Sequence, residues 1–148
     1  MRFVRSLLGA AAVLAFDQGT KLWAGRSLAL GEVRPLVGDV LRLTRVHNTG
    51  GAFGLLPHHT GAFIAVSAAV ILVLGVVLVG GQGRWLGRMG GALLLGGAAG
   101  NLVDRVRWGY VLDFFEIRGF PVFNVADAAI VIGAGLVALS LLAGGRSR

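Results

Sequence analysis

One stretch of this chain gathers groups that could do chemistry, from Asn101 to Asp127: NLVDRVRWGYVLDFFEIRGFPVFNVAD. It holds four of the seven acidic residues and lies between two apolar segments that look membrane-spanning. A carboxylate at or near lipid is costly to keep, so acids clustered there beside amides and a guanidinium mark a functional site. Asp113 sits in Val-Leu-Asp-Phe-Phe, where solvation is poor, and Asp127 stands three residues after Asn124 at the start of the last apolar run. Two such carboxylates brought together share a proton, one ionised and one neutral. That arrangement activates a water as general base and protonates a carbonyl or leaving amine as general acid. Asp113 and Asp127 are therefore the candidate catalytic pair.

Composition sets the environment in which that pair must work. The 148 residues are 55% hydrophobic and 14% charged, with 25 glycines and a mean hydropathy of +0.78, which describes an integral membrane protein. The net charge of +7 does not point to nucleic acid, because the fourteen basic residues are scattered singly around apolar runs, as membrane flanks are. There is no cysteine, so no disulfide, thiolate nucleophile or zinc–thiolate site exists. His47, His58 and His59 have no spacing that ties them to either acid, and no metal site is expected.

Four elements could position the pair. The chain opens with Arg2 and Arg5 before SLLGAAAVLAF, which reads like a signal peptide. Asp17, Gln18 and Lys21 follow at once without a small-residue cleavage site, so an uncleaved span over about residues 5–24 is predicted. Residues 25–59 alternate charged and short apolar pieces around a Gly38-Asp39 turn, which predicts a small β-rich lobe outside the membrane. Within it, Val46 to Leu56 (VHNTGGAFGLL) contains Asn48, Gly50, Gly51 and Phe53, a loop whose glycines let backbone come close to an extended peptide, or simply turn. Residues 60–81 carry no charge and form the clearest span. A third follows over about 85–103, its Gly87/Gly91 and Gly96/Gly100 spacings suited to close helix approach, and a fourth over about 125–145.

Spans alternate in direction, which puts the end of the first, the end of the third and the start of the fourth on one side. All seven acids then share a face with the lobe 25–59 and the loop 104–124. The other face carries Arg2, Arg5, Arg84, Arg88, Arg146 and Arg148 in short flanks, so both termini are expected to be cytoplasmic. Trp23, Trp108 and Tyr110 on one side and Trp85 on the other suit interfacial belts. Asn101, Asp104 and Arg105 point roughly one way from the outer end of the third span. Asp104 is expected mainly to pair with Arg105 and anchor a helix end, Asp17 and Lys21 to share a helix face, and Asn124 either to cap the last helix or to support the acids.

Taken together, Asp17-Gln18 with Lys21, Asn48-Thr49-Gly50-Gly51-Ala52-Phe53, Gly100-Asn101-Leu102-Val103-Asp104-Arg105, Val111-Leu112-Asp113-Phe114 and Pro121-Val122-Phe123-Asn124-Val125-Ala126-Asp127 resemble the lipoprotein signal peptidases, the type II signal peptidases of bacteria. The motifs run in the family's order over nearly the whole chain. One departure is Phe120, where the family often has tryptophan.

The resemblance implies an aspartyl endopeptidase of the bacterial cytoplasmic (inner) membrane with Asp113 and Asp127 as its catalytic residues. Asn48, Asn101, Arg105 and Asn124 would give polar support, and Asp17 a structural role. Its substrates would be prolipoproteins carrying a diacylglyceryl-cysteine, cut on the N-terminal side of that cysteine at the extracytoplasmic face. The expected fold is an all-α integral membrane protein: a single membrane domain, residues 1–148, with four transmembrane helices and a small β-rich lobe between the first two. Gly50 and Phe53 would line the substrate groove; Lys21 and Asp104 would join Asp17 as structural polar groups. No cofactor and no nucleic acid is expected, and the chain would work as a monomer among membrane lipids. The competing reading is a small ion- or proton-coupled transporter using its carboxylates as a relay. Its acids should lie near midspan, and here they lie at the ends of spans.

Overall fold

The structure is a computed structural model and describes residues 2–50, 59–80 and 85–144. Four helices carry most of it: α1 (Arg2–Ser27), α2 (Thr60–Val79), α3 (Trp85–Trp108) and α4 (Val125–Gly144). Three strands, β1 (Val33–Val37), β2 (Leu41–Asn48) and β3 (Val111–Ile117), form one antiparallel sheet in the order β1-β2-β3.

Of these helices, α2 and α4 are long and apolar enough to cross a membrane. Their side chains say what surrounds them: Val66, Leu72, Val73, Val76 and Val77 on α2, and Val131, Leu139, Leu141 and Leu142 on α4, are all exposed. A soluble monomer does not present an apolar surface of that extent to water. The other two helices fail the same test of apolarity because they carry Asp17 and Lys21, and Arg88, Asp104 and Arg105, the first pair and Asp104 being buried. Both are longer than the sequence suggested, since α1 continues to Ser27 and α3 to Trp108.

The centre of the bundle is α3, which packs against each of the other three helices. Its glycines make this possible. A Cβ on Gly96 would lie 2.6 Å from the Ala10 carbonyl oxygen of α1, and one on Gly97 would lie 2.6 Å from the Ala126 carbonyl oxygen of α4. Only backbone without a side chain approaches that closely, so the small-residue pattern serves two neighbours on two faces rather than one.

The loop expected over 104–124 is not irregular. Val-Leu-Asp-Phe-Phe-Glu-Ile is a strand-forming run of β-branched and aromatic residues, and as β3 it joins the sheet beside β2. The lobe is thus built from both segments that flank the apolar helices. Between Leu43↔Phe115 and Val46↔Asp113 the register shifts, a bulge with one extra residue in β2. Phe114 points into a small core of Ala24, Leu28 and Leu43, while its neighbour Asp113 points the opposite way. Beyond β3 the chain reverses through Gly119, whose φ of 82° suits glycine. Phe123 then pairs back onto Phe115, its N–H donating to the Phe115 carbonyl at 2.9 Å.

Candidate active site

That reversal sets Asn124 beside Asp113. The Asn124 Nδ2 donates to Asp113 Oδ1 at 2.7 Å, and Asn48 Nδ2, at the end of β2, donates to Asp113 Oδ2 at 2.9 Å. Asp113 is 2% exposed. Asn124 is also the N-cap of α4: its Oδ1 accepts the Asp127 N–H at 2.9 Å, and Asp127 Oδ2 accepts the Asn124 N–H at 3.1 Å. This is a reciprocal capping box with an aspartate in the returning position. The two readings of Asn124, cap and support, are both realised by different atoms of one side chain.

Asn101 completes the frame from α3. Its Nδ2 donates to Asp127 Oδ1 at 2.8 Å, and its Oδ1 accepts from Asn124 Nδ2 at 3.2 Å. All four carboxylate oxygens of Asp113 and Asp127 therefore receive an N–H, three from asparagine side chains and one from backbone. Asparagine suits this frame because it donates without bringing a charge that would settle where a proton sits. Burial and then the nearby charge of Asp127 push the Asp113 carboxyl up from 3.8 to about 7, against the lowering effect of the Asn48 and Asn124 hydrogen bonds and of Lys21. A carboxyl that titrates near neutrality beside a second carboxylate is what acid–base hydrolysis needs.

The supporting residues divide in two. Arg105 donates from Nη2 to the Gly50 carbonyl at 3.0 Å and lies 5.1 Å over the Phe63 ring. Gly50 in turn donates its N–H to Asn48 Oδ1 at 2.9 Å, so this end of the glycine loop is tied to the acids. Phe53 lies outside the described residues. Asp104 does not pair with Arg105 as its neighbour in sequence suggested. It faces α1, where its Oδ2 is 2.9 Å from Lys21 Nζ and its Oδ1 accepts from Gln18 Nε2 at 2.9 Å. Residues adjacent in a helix point about a quarter-turn or more apart, and Lys21 is buried against the Asp104 side. Asp17 pairs with Lys21 at 2.9 Å and also accepts the Ala126 N–H at 2.9 Å, binding α1 to the first turn of α4. Gln18 had no assigned role in the sequence; its position one after Asp17 on a helix that turns polar only there was the available signal.

A cavity of about 600 Å³ opens on the pair, lined by Asn48, Phe63, Asn101, Arg105, Val111, Asp113, Phe120, Pro121, Val122, Phe123 and Asp127, then along α4 by Ala128, Ile130, Val131 and Ile132. Its polar groups converge at one end, and the remainder is hydrocarbon. Among the described residues no cluster of three His, Cys, Asp or Glu side chains could hold a metal. Two carboxylates held by amides at the end of an apolar cavity could do acid–base chemistry on an apolar substrate, where helices meet a small sheet.

Known proteins resemble this chain in sequence and in fold. The family model for signal peptidase (SPase) II matches residues 9–143. The lipoprotein signal peptidase of Moorella thermoacetica is 45% identical over 137 residues, covering 92% of this chain and 91% of that one. That of Halothermothrix orenii is 41% identical over 129 residues, covering 87% and 89%. A solved bacterial membrane enzyme, determined by the in meso method at 2.3 Å, superposes with a TM-score of 0.90 at 29% identity, covering 97% of this chain and 92% of that one. The chain is thus a membrane enzyme of mostly helical fold. It belongs to the signal peptidase II family.

Proposed function

We propose that this enzyme removes the signal peptide from prolipoproteins by hydrolysing the bond on the N-terminal side of a diacylglyceryl-cysteine, with Asp113 and Asp127 as its acid–base pair. The observation that carries the assignment is the shared frame: one asparagine, Asn124, donates to Asp113 while capping the helix that begins with Asp127. In the resting pair one carboxyl is neutral and one ionised. The ionised member takes a proton from water as it attacks the scissile carbonyl; the neutral member donates its proton to the carbonyl oxygen, and the tetrahedral intermediate collapses as the leaving nitrogen is protonated. Asn48, Asn101 and Asn124 hold the pair, and Arg105 and Gly50 support the peptide's approach. The apolar α4 wall of the cavity suits the hydrophobic segment and acyl chains of such a substrate. An ion-coupled transporter is disfavoured because the acids stand at helix ends and on a strand, with no file of buried charged groups along the bundle axis among the described residues to carry an ion onward.

In this reading α1 and α3 also cross the membrane, both termini are cytoplasmic, and the sheet and the acids lie on the extracytoplasmic side of the inner membrane. The chain acts as a monomer in contact with lipid and uses no cofactor. The test is cleavage of a lipidated prolipoprotein peptide by purified, folded variants at matched concentration. Asp113→Asn or Asp127→Asn should each abolish turnover, roughly a thousandfold or more, and the double replacement should be hardly worse, because the two act as one unit. Asp17→Asn and Asp104→Asn should act through stability and leave residual cleavage. Near-normal turnover by either of the first two would sink the pair.

A further inference from the structure

Lys21 is the single lysine of the chain; every other member of the fourteen Lys and Arg residues is arginine. It is also buried, 4% exposed. Its Nζ lies 2.9 Å from Asp17 Oδ2, 2.9 Å from Asp104 Oδ2 and 2.9 Å from Asn101 Oδ1. An ammonium has three N–H donors and no acceptor, so its three protons meet three oxygens from two helices. The donors of a guanidinium spread in a planar fork and do not converge on a compact tripod of this kind, which gives the lone lysine among arginines a physical reason.

The third of these contacts reaches the acid pair. Asn101 Oδ1 takes the Lys21 ammonium and Asn124 Nδ2, which leaves Asn101 Nδ2 to donate to Asp127 Oδ1 at 2.8 Å. Turned over, the same amide would set its NH₂ against an ammonium and another NH₂, and its oxygen against a carboxylate oxygen. We infer that Lys21 is a positioning residue for the reaction: acting through Asn101, it fixes an N–H on Asp127 Oδ1, keeps Asp127 the ionised member of the pair and leaves the proton on Asp113. The assignment rests on the acid–base reading of Asp113 and Asp127 given above.

The surrounding charges agree with it. Those facing the pair are Asp17 and Lys21 on α1, Asp104 and Arg105 on α3, and the two carboxylates themselves. Lys21 is engaged by Asp17 and Asp104. Among the described residues that leaves Arg105 as the cation facing both members, and one positive charge matches a pair that holds one proton. Asp113 is the more deeply buried of the two, so the neutral form costs least there.

A direct test is the charge-balanced variant Lys21→Met with Asp104→Asn, which removes one buried cation together with one buried anion. Assayed on lipidated prolipoprotein peptide at matched folded concentration, its kcat should fall at least about tenfold with KM within about twofold, and the acidic limb of its pH profile should move to higher pH. Parental kcat with an unmoved acidic limb would overturn the inference. Should the variant not fold, the parent enzyme answers instead, because ¹⁵N-lysine labelling gives one side-chain signal. That Nζ signal should follow a titration in the parent that is missing from Asp127→Asn; identical titrations in the two would overturn the inference. The outcomes separate from the reading on which it rests. An active Asp127→Asn defeats the acid pair, whereas an inactive Asp127→Asn beside a fully active Lys21 variant defeats only the role of Lys21.

Discussion

Asp113 carries two constraints at once, a fold that buries it and, in the proposed mechanism, a reaction that needs its proton. Its carboxyl is raised from 3.8 to about 7 by burial first and the Asp127 charge second, so the folded chain holds the proton more tightly than the unfolded chain does. The stability linked to that proton is complete below about pH 4 and is lost as the pH rises to about 7, above which the fold bears a buried charge. Asp113→Asn should therefore melt together with the parent near pH 4 and at a higher temperature than the parent at about pH 8, read by a thermal shift in detergent. The same proton should give parental turnover a basic limb near pH 7 in kcat/KM. A melting difference that is unchanged between the two pH values would show that the raised titration is absent.

The elements meet at the first turn of α4. Asn124 caps it, Asp17 accepts its Ala126 N–H from α1, and Gly97 of α3 lets its backbone come close. Asp127 is thereby fixed by helix geometry, and Asp113 by a strand, with one asparagine joining them. The cap and the support can be separated by substitution. Serine accepts at an N-cap about as well as asparagine but has no NH₂ to offer Asp113, whereas alanine loses both functions. Asn124→Ser should keep a melting temperature close to the parent yet lose at least about tenfold in kcat, and Asn124→Ala should lose both activity and roughly 1 kcal/mol of stability. Equal activity in the serine variant and the parent would leave Asn124 a cap alone.

For the whole molecule, the polar network occupies one end of a bundle whose flanks are hydrocarbon. Gln18, Lys21, Asn101, Asp104 and Asn124 are joined there by hydrogen bonds from three helices. Each would be costly in lipid, and together they satisfy one another. In the proposed arrangement the arginines that flank the apolar runs in sequence put the opposite end in the cytoplasm. A reporter fused after Arg148 should be active in the cytoplasm and silent outside it, while one inserted at the Gly38-Asp39 turn should show the reverse. Activity of the first reporter only outside the cytoplasm would reverse the arrangement and remove the shared-face reasoning with it.

Much of this was legible in the chain itself, because the signals were local. Charge-free length marked α2 and a long apolar run marked α4, apolar neighbours marked Asp113 as poorly solvated, and spacing paired Asp17 with Lys21 and Asn124 with Asp127; these depend on periods of a few residues and on the cost of charge near lipid. The family followed from motifs whose order a linear reading preserves. Tertiary structure alone decided the rest. That Val111–Ile117 is a third strand depends on its pairing with β2, more than sixty residues away. That Asp104 answers to Lys21 and Gln18 instead of Arg105 depends on which face of α3 meets α1. That a lysine in the first helix reaches Asp127 through Asn101 depends on three side chains from three helices sharing a space that no sequence spacing encodes, since contact across elements is set by packing and not by separation along the chain.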